Sequence, residues 1–321
     1  MNEKKVSIIV PTYNHEEYII DCLESIKDQD YENIELIIGD DVSSDKTYEK
    51  AQKWVKENED RFNACVIYRN ENNLGISRNM NELVKKTTGD YIKSIASDDL
   101  LLPNAISSLV EYLEQNNDEI VFANAYRINE QSKWPLNNNY ELFYRKIPPS
   151  GNDILNYLYD SSYIAAPTVL FRKGTFDKYG LFREDLCFED WEYWLRLAAK
   201  GASIGYLDKP LVGYRFLDES ASHFSAGQEE EARFLRFAQS EKKMLEEYKE
   251  YVDNGMINYW NRNFIACMDN KYDLALEQLL ASEDCCVSAG IRVRLFFYRI
   301  HMYSIIKKII HYMKSGGSKC K

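Results

Sequence analysis

At 321 residues, with 45% hydrophobic and 28% charged side chains, the chain has the balance of a folded globular protein, with room for one sizeable α/β domain and a smaller appendage. A formal charge of −11 argues against nucleic acid as a partner, and seven cysteines without a C-x-x-C pair argue against a disulfide framework or a zinc site and for reduced thiols in the cytoplasm. No run reaches the roughly 18 apolar residues of a membrane span, and the opening MNEKKVSIIVPTYN reads as strand and motif rather than as a signal peptide.

The first half alternates β-branched runs with helical periodicity. VSIIVPTYN (6–14) predicts a strand, and the next segment places Ile19, Leu23 and Ile26 on one helical face. IELIIGDD (34–41) predicts a second strand, followed by a helix through Trp54. ACVIYRN (64–70) predicts a third, followed by a helix over about 77–86. DYIKSIASDD (90–99) predicts a fourth, with a helix from Pro103. Such alternation implies a mostly parallel sheet covered on both faces, in which ligands bind beyond the C-terminal strand ends. The polar clusters TYN, DDVSSD, RNENN and SDD stand at those ends and would share one crevice. From about 127 to 163 the pattern weakens into Asn, Pro and Tyr, which predicts a long excursion over that crevice. A strand and turn resume at 166–182. FEDWEYWLRLAAKG (188–201) predicts a helix with an acidic start and a glycine stop, IGYLDKPLVGYR (204–215) closes this portion, and the remainder reads as helical.

Each polar cluster admits a structural and a functional reading. Asp98 and Asp99 suit a turn, or a site where few oxygen ligands hold Mg²⁺ or Mn²⁺ together with phosphate and water. Asp45 reads as the cap of the following helix, whereas Asp40 and Asp41 could accept the imide N–H of a pyrimidine on which Tyr13 stacks. In NNLGISRNMNEL (72–83), Arg78 in the first turn of a helix is either a surface arginine or a fork for a diphosphate. Glu189 and Asp190 either cap their helix or supply a general base. The charge of a neighbour would raise that base's pKa and the helix N-terminus would lower it.

In this order the blocks VSIIVPTYN, IELIIGDDVSSDKT, NLGISRNMNELVKKTTGDYI, ASDDLLLP and EDWEYWLRL resemble the family 2 glycosyltransferases, over roughly residues 5–217. The resemblance implies a GT-A fold, Rossmann-like with a mixed, mostly parallel sheet, over residues 1–225. A helical region would occupy 226–321. It implies inverting transfer from a nucleotide sugar, UDP-linked, to a glycan or lipid-linked oligosaccharide in cell-surface polysaccharide synthesis. By the same resemblance Pro11, Thr12, Tyr13, Asp40 and Asp41 contact base and ribose, and Arg78 the nucleotide. Asp98 would serve ribose or metal, Asp99 would bind Mn²⁺ or Mg²⁺, and Asp190 would be the base supported by Glu189. Arg215, Ser222 and His223 would lie on a loop closing over the diphosphate. The chain departs from the family pattern twice: Ala96 replaces the first carboxylate of Asp-x-Asp-Asp, and Val42 replaces the usual glycine after the first Asp-Asp. Two rival functions stand beside this one. A nucleotidyltransferase would carry a glycine-rich basic loop after the first strand, which PTYNHEE lacks. A non-catalytic nucleotide-sugar-binding subunit of a glycan-assembly complex is the other.

Charge is unevenly distributed. Residues 291–321 hold eight Lys/Arg and no acid, leaving the first 290 residues at −19. A helix over 291–313 would align Ile291, Leu295, Tyr298, Met302, Ile305, Ile309 and Met313 beside basic residues. That pattern fits peripheral docking on an anionic inner-membrane surface, and equally packing on its own domain or in a homodimer.

Overall fold

The computed structural model describes residues 3–136, 140–149, 154–217, 228–251 and 255–314. It contains two compact units, Met1–Ser220 and Ala221–Lys321.

In the first unit, β1 (Val6–Thr12), β2 (Ile34–Asp40) and β3 (Ala64–Arg69) run parallel, linked by α1 (Ile19–Lys27) and α2 (Thr47–Asn58). After α3 (Ile76–Lys86) the chain crosses back, and β4 (Tyr91–Ser94) pairs with the other side of β1. Every residue of β1 and β2 is buried, because helices cover both sheet faces, and this is why their sequences are continuous apolar runs without alternation. Ile19, Cys22, Leu23 and Ile26 of α1 meet Val6, Ile8 and Val10 in the same core. Pro11 is tolerated at the end of β1 because β4 pairs only as far as Ile9, so its missing N–H costs no bond on that side.

The chain continues through β5 (Leu100–Leu101), α4 (Ala105–Gln115), β6 (Ile120–Ile128), β7 (Glu141–Leu142), α5 (Ile154–Asp160), β8 (Leu170–Arg172), α6 (Gly174–Tyr179), α7 (Asp190–Ala199) and β9 (Ile204–Arg215). One sheet results, of order β3-β2-β1-β4-β8-β6-β9-β5, with β7 added to β6. β6 and β9 pair in parallel, whereas β8 is antiparallel to both β4 and β6. Successive strands run outward from β1 to β3 and then restart on the opposite side at β4. The topological switch point therefore lies between β1 and β4, and the crevice opens beyond their C-terminal ends. The fourth strand stops at Ser94, earlier than the sequence pattern suggests. Beyond it Ile95 still donates to Ile9 O, and Asp99 N–H turns back to Ala96 O, so Ala96–Asp99 form a turn above the sheet.

The second unit comprises α8 (Gln228–Glu247), α9 (Gly255–Asn270), α10 (Asp273–Leu280), α11 (Ala289–Arg299) and α12 (Tyr303–Lys314), around Tyr259, Trp260, Phe264, Leu276 and Leu279. The single helix expected over 291–313 is two. His301 adopts φ 57°, its N–H bonds to Tyr298 O, and Met302 N–H reaches Phe297 O at 2.8 Å, the paired bonds of a Schellman stop. Ile291 and Leu295 of the expected apolar stripe are buried, as packing on its own domain would have them. Among the described residues no helix is long and apolar enough to cross a membrane, and the six cysteines are unpaired.

Candidate active site

The first wall of the crevice is made by the ends of β1 and β2, which register places side by side, Thr12 against Asp40. Asp40 is fully buried and its carboxylate is engaged within the protein. It accepts from Ser43 N–H (3.0 Å), Ser43 Oγ (2.5 Å) and Thr12 Oγ1 (3.2 Å), and Arg69 Nε stands 3.3 Å away. Asp41 is also committed, accepting from the backbone N–H of Leu74 (2.7 Å) and Gly75 (2.8 Å) and from Asn70 Nδ2 (2.9 Å). Both aspartates therefore shape the loops around the crevice, with Asp40 bonded at both oxygens and Asp41 Oδ2 accepting, among the described residues, only from Gly75 N–H. Gly75 begins α3 at φ 78°, a conformation that glycine adopts without penalty. Between the two loops Val42 is held at φ 65°, where the family pattern has glycine and where a β-branched side chain is strained. Asp45 accepts from Thr47 N–H and Oγ1 just before α2, whose N-cap is Lys46 and not Asp45 as expected. Tyr13 presents half of its surface to solvent, and Pro11 is buried in the sheet. Arg78 lies on the exposed side of α3 and pairs with Glu184 at 3.0 Å.

The Ala96–Asp99 turn forms the second wall. Asp99 is 1% exposed, and its Oδ1 accepts from Arg215 N–H at 2.7 Å. Burial, together with the charge of Asp98, pushes its carboxyl well above the usual range, opposed by Arg215 and Lys93. Asp98 keeps contact with solvent, and His15 Nδ1 lies 3.8 Å from its Oδ1 and 2.8 Å from Ser97 Oγ. Two adjacent carboxylates, with neither Lys nor Arg in ion-pair contact among the described residues, suit a divalent cation that takes its other ligands from phosphate and water. No cluster of three or more potential ligands exists among the described residues. The carboxylates at this turn are Asp98 and Asp99, with none at Ala96.

Arg215, expected on a loop closing over the diphosphate, is instead buried at the end of β9. Its Nε donates to Asp98 O at 2.6 Å and its Nη1 to both Asn129 O and Ser132 O, with the guanidinium 4.6 Å from the Tyr18 ring centroid. These bonds fasten the acidic turn to β9 and to the turn after β6. Ser222 and His223 lie outside the described residues.

α7 carries the third wall. Its inner face buries Trp191, Tyr193, Trp194, Leu195 and Leu197, each worth about 1.5–3 kcal/mol when fully removed from water. Trp194 stacks on Phe171 at 5.6 Å, and Trp191 Nε1 donates to Leu158 O at 2.5 Å, so the N-terminus of the helix is held in place. Asp190 begins the helix; its Oδ1 accepts from Trp191 N–H at 2.6 Å, and Ser162 Oγ stands 3.5 Å from Oδ2. Burial raises both acidic side chains, Asp190 to about 6 and Glu189 to about 8, the latter further because of its neighbour's charge. Opposing them, backbone hydrogen bonds at the helix start pull downward without cancelling the effect. Both carboxyls are thus shifted toward their protonated forms, Glu189 more than Asp190.

Tyr214 lies on β9 immediately before Arg215. Burial raises its phenol, and so do the charges of Asp99, Asp190, Asp98 and Glu189, so one side chain on β9 senses both acidic pairs. Sequence reasoning did not single out Tyr214, His15, Lys93 or Arg69. Lys93 alone left a trace, a lysine inside the apolar strand YIKSI. It is fully buried, bonded to Ser94 O and Pro167 O, and burial lowers it to about 7 against the pull of Asp99.

Comparison with known proteins follows the same lines. A family model described as glycosyl transferase family 2 matches residues 7–180, more than half of the chain. An uncharacterised glycosyltransferase of Methanocaldococcus jannaschii is 25% identical over 217 residues, which are 67% of this chain and 72% of the relative. Another, from Rickettsia conorii, is 30% identical over 220 residues, and there the match spans only 33% of the relative's length. Among solved structures, S. aureus TarS 1–349 in complex with UDP-GlcNAc aligns with a TM-score of 0.58 at 17% identity, covering 97% of this chain and 92% of that one. The mannosyltransferase PcManGT of Pyrobaculum calidifontis, in complex with GDP-Man and Mn²⁺, aligns with a TM-score of 0.55 at 15% identity, covering 96% and 88%. At these identities the likeness establishes the fold: mixed α/β of the GT-A type, with helices following it.

Proposed function

The chain belongs to glycosyl transferase family 2, and from that premise we propose that it moves a sugar from a UDP-linked donor to a hydroxyl of a glycan acceptor, with inversion. The observation that carries this reading is the adjacent carboxylates Asp98 and Asp99 in the turn at the strand switch point, with a second acidic pair, Glu189 and Asp190, at the start of α7. A nucleotide sugar needs both a place for its diphosphate and, on the far side of the anomeric carbon, a base for the incoming hydroxyl.

In this reading Asp190 accepts the proton of the acceptor hydroxyl as that oxygen attacks the anomeric carbon from the face opposite the diphosphate. One displacement inverts the configuration. Glu189, holding its own proton, keeps a second negative charge away from the attacking oxygen. Asp98 and Asp99 would hold Mn²⁺ or Mg²⁺, which when bound offsets the charge that develops on the departing diphosphate. Asp98 would also reach the ribose. Tyr13 offers an exposed ring for the base, while Thr12, Asp40 and Asp41 hold the surrounding loops. Arg78 is tied only by a surface ion pair, an interaction worth about 0–1 kcal/mol, so exchanging Glu184 for a diphosphate costs little. Donors bound by TarS and PcManGT, UDP-GlcNAc and GDP-Man, support a nucleoside-diphosphate sugar as the donor class here. A lipid-linked oligosaccharide in cell-surface polysaccharide assembly is the acceptor that fits the family.

Calorimetric titration of UDP with and without Mn²⁺ tests the donor half. UDP should bind more tightly with the ion, and Asp99→Ala should remove that gain. Identical UDP affinity in wild type and variant would take Asp99 out of the donor site.

A further inference from the structure

The basic C-terminal segment presents a face that the sequence pattern assigned differently. On α11 the residues Ile291 and Leu295 turn inward, and Tyr298 OH donates to Asp273 at 2.6 Å, which fixes the helix's inner side. Opposite them, Arg299, Arg292, Phe296, Ile300 and Val293 fall within an arc of about 120° at 3.6 residues per turn. All five are exposed: Phe296 is 59% accessible, Val293 49% and Ile300 45%. The Schellman stop adds Met302, 40% accessible, to the end of this face. From 289 to 314 the charged side chains are Arg292, Arg294, Arg299, Lys307, Lys308 and Lys314, with no acid among them. Lys307 pairs with Asp269 at 2.8 Å, but Arg292 and Arg299 have no acidic partner among the described residues.

Four exposed apolar side chains flanked by unpaired arginines would be a liability facing water alone. A bilayer interface accommodates both, taking Phe and Ile at the acyl boundary and arginines at anionic head groups. We propose that the Val293–Phe296–Ile300–Met302 face of α11 and its following turn docks on an anionic lipid bilayer. The surface differs from the Ile291–Leu295 face read from periodicity, and it is independent of the chemistry proposed for the first unit.

The test is co-sedimentation of the full-length chain with vesicles of phosphatidylcholine and of an equimolar phosphatidylcholine–phosphatidylglycerol mixture. The chain should partition onto the anionic vesicles and not onto the neutral ones. Phe296→Ser should weaken partitioning about tenfold, and Arg299→Gln about fivefold. Both variants should keep wild-type circular dichroism and wild-type UDP affinity, which separates failure here from failure of the catalytic reading. Absence of binding to anionic vesicles, equal binding to both kinds, or unchanged binding of Phe296→Ser overturns the proposal. So does a chain that ignores vesicles and sediments as a dimer which Phe296→Ser dissociates, since the occupant would then be a second copy.

Discussion

Glu189 and Asp190 are neighbours in sequence with unequal surroundings, and their protons follow from that. Burial lifts Asp190 to about 6, so it must lose a proton before it can accept one. The rate under subsaturating donor and acceptor should therefore fall with a slope of one proton as pH drops through about 6, read from a pH–rate profile. Asp190→Asn should lower turnover by about 10²–10⁴-fold while leaving UDP affinity near wild type. Stability should move the other way. Because both folded-state pKa values are raised, the stabilising contribution of these groups is complete below about pH 4, their unfolded range, and is lost as pH rises through about 6 and about 8. Asp190→Asn should accordingly melt no lower than wild type at pH 7. Val42 carries a different strain. A left-handed backbone costs an L-residue about 1–2 kcal/mol, and asparagine tolerates it better, so Val42→Asn should stabilise the chain by about 1 kcal/mol in urea titration.

Among elements, the acidic turn after β4 owes its place to Arg215, whose backbone and side chain together meet Asp99, Asp98, Asn129 and Ser132. A lysine cannot reproduce that fork. Arg215→Lys should leave buried carbonyls unpaired and destabilise the chain by about 2–4 kcal/mol in denaturant titration. The strand and helix order of the first unit was readable from residue patterns because β-branched runs and helical spacing are local properties. The turn's fastening was not: it runs through Arg215 to Asn129 and Ser132, joined only by folding. Arg215 and Asp40 show the consequence. Both were read as ligand contacts from motif position, and both spend their hydrogen bonds inside the protein. The break at 300–302 was equally hidden, since His301 takes the position where glycine would have announced a helix stop.

Across the whole chain, charge divides as function is proposed to divide, with −19 on the first 290 residues and +8 on the last 31. The acidic side chains at the crevice and the basic face of α11 should thus respond differently to salt. Partitioning onto anionic vesicles should fall steeply as ionic strength rises, because exposed charges are screened beyond about 8–10 Å at physiological salt. UDP affinity in Mn²⁺ should change far less over the same range. The central claim, however, concerns the acidic pairs at the strand switch point and at the start of α7. Its most direct test is nucleoside-diphosphate release from a panel of UDP- and GDP-sugars with Mn²⁺ and a hydroxyl acceptor, run on wild type beside Asp190→Asn. Release by wild type from at least one UDP-sugar, lost in the variant, is the predicted result. Release at equal rates from both proteins would contradict the account.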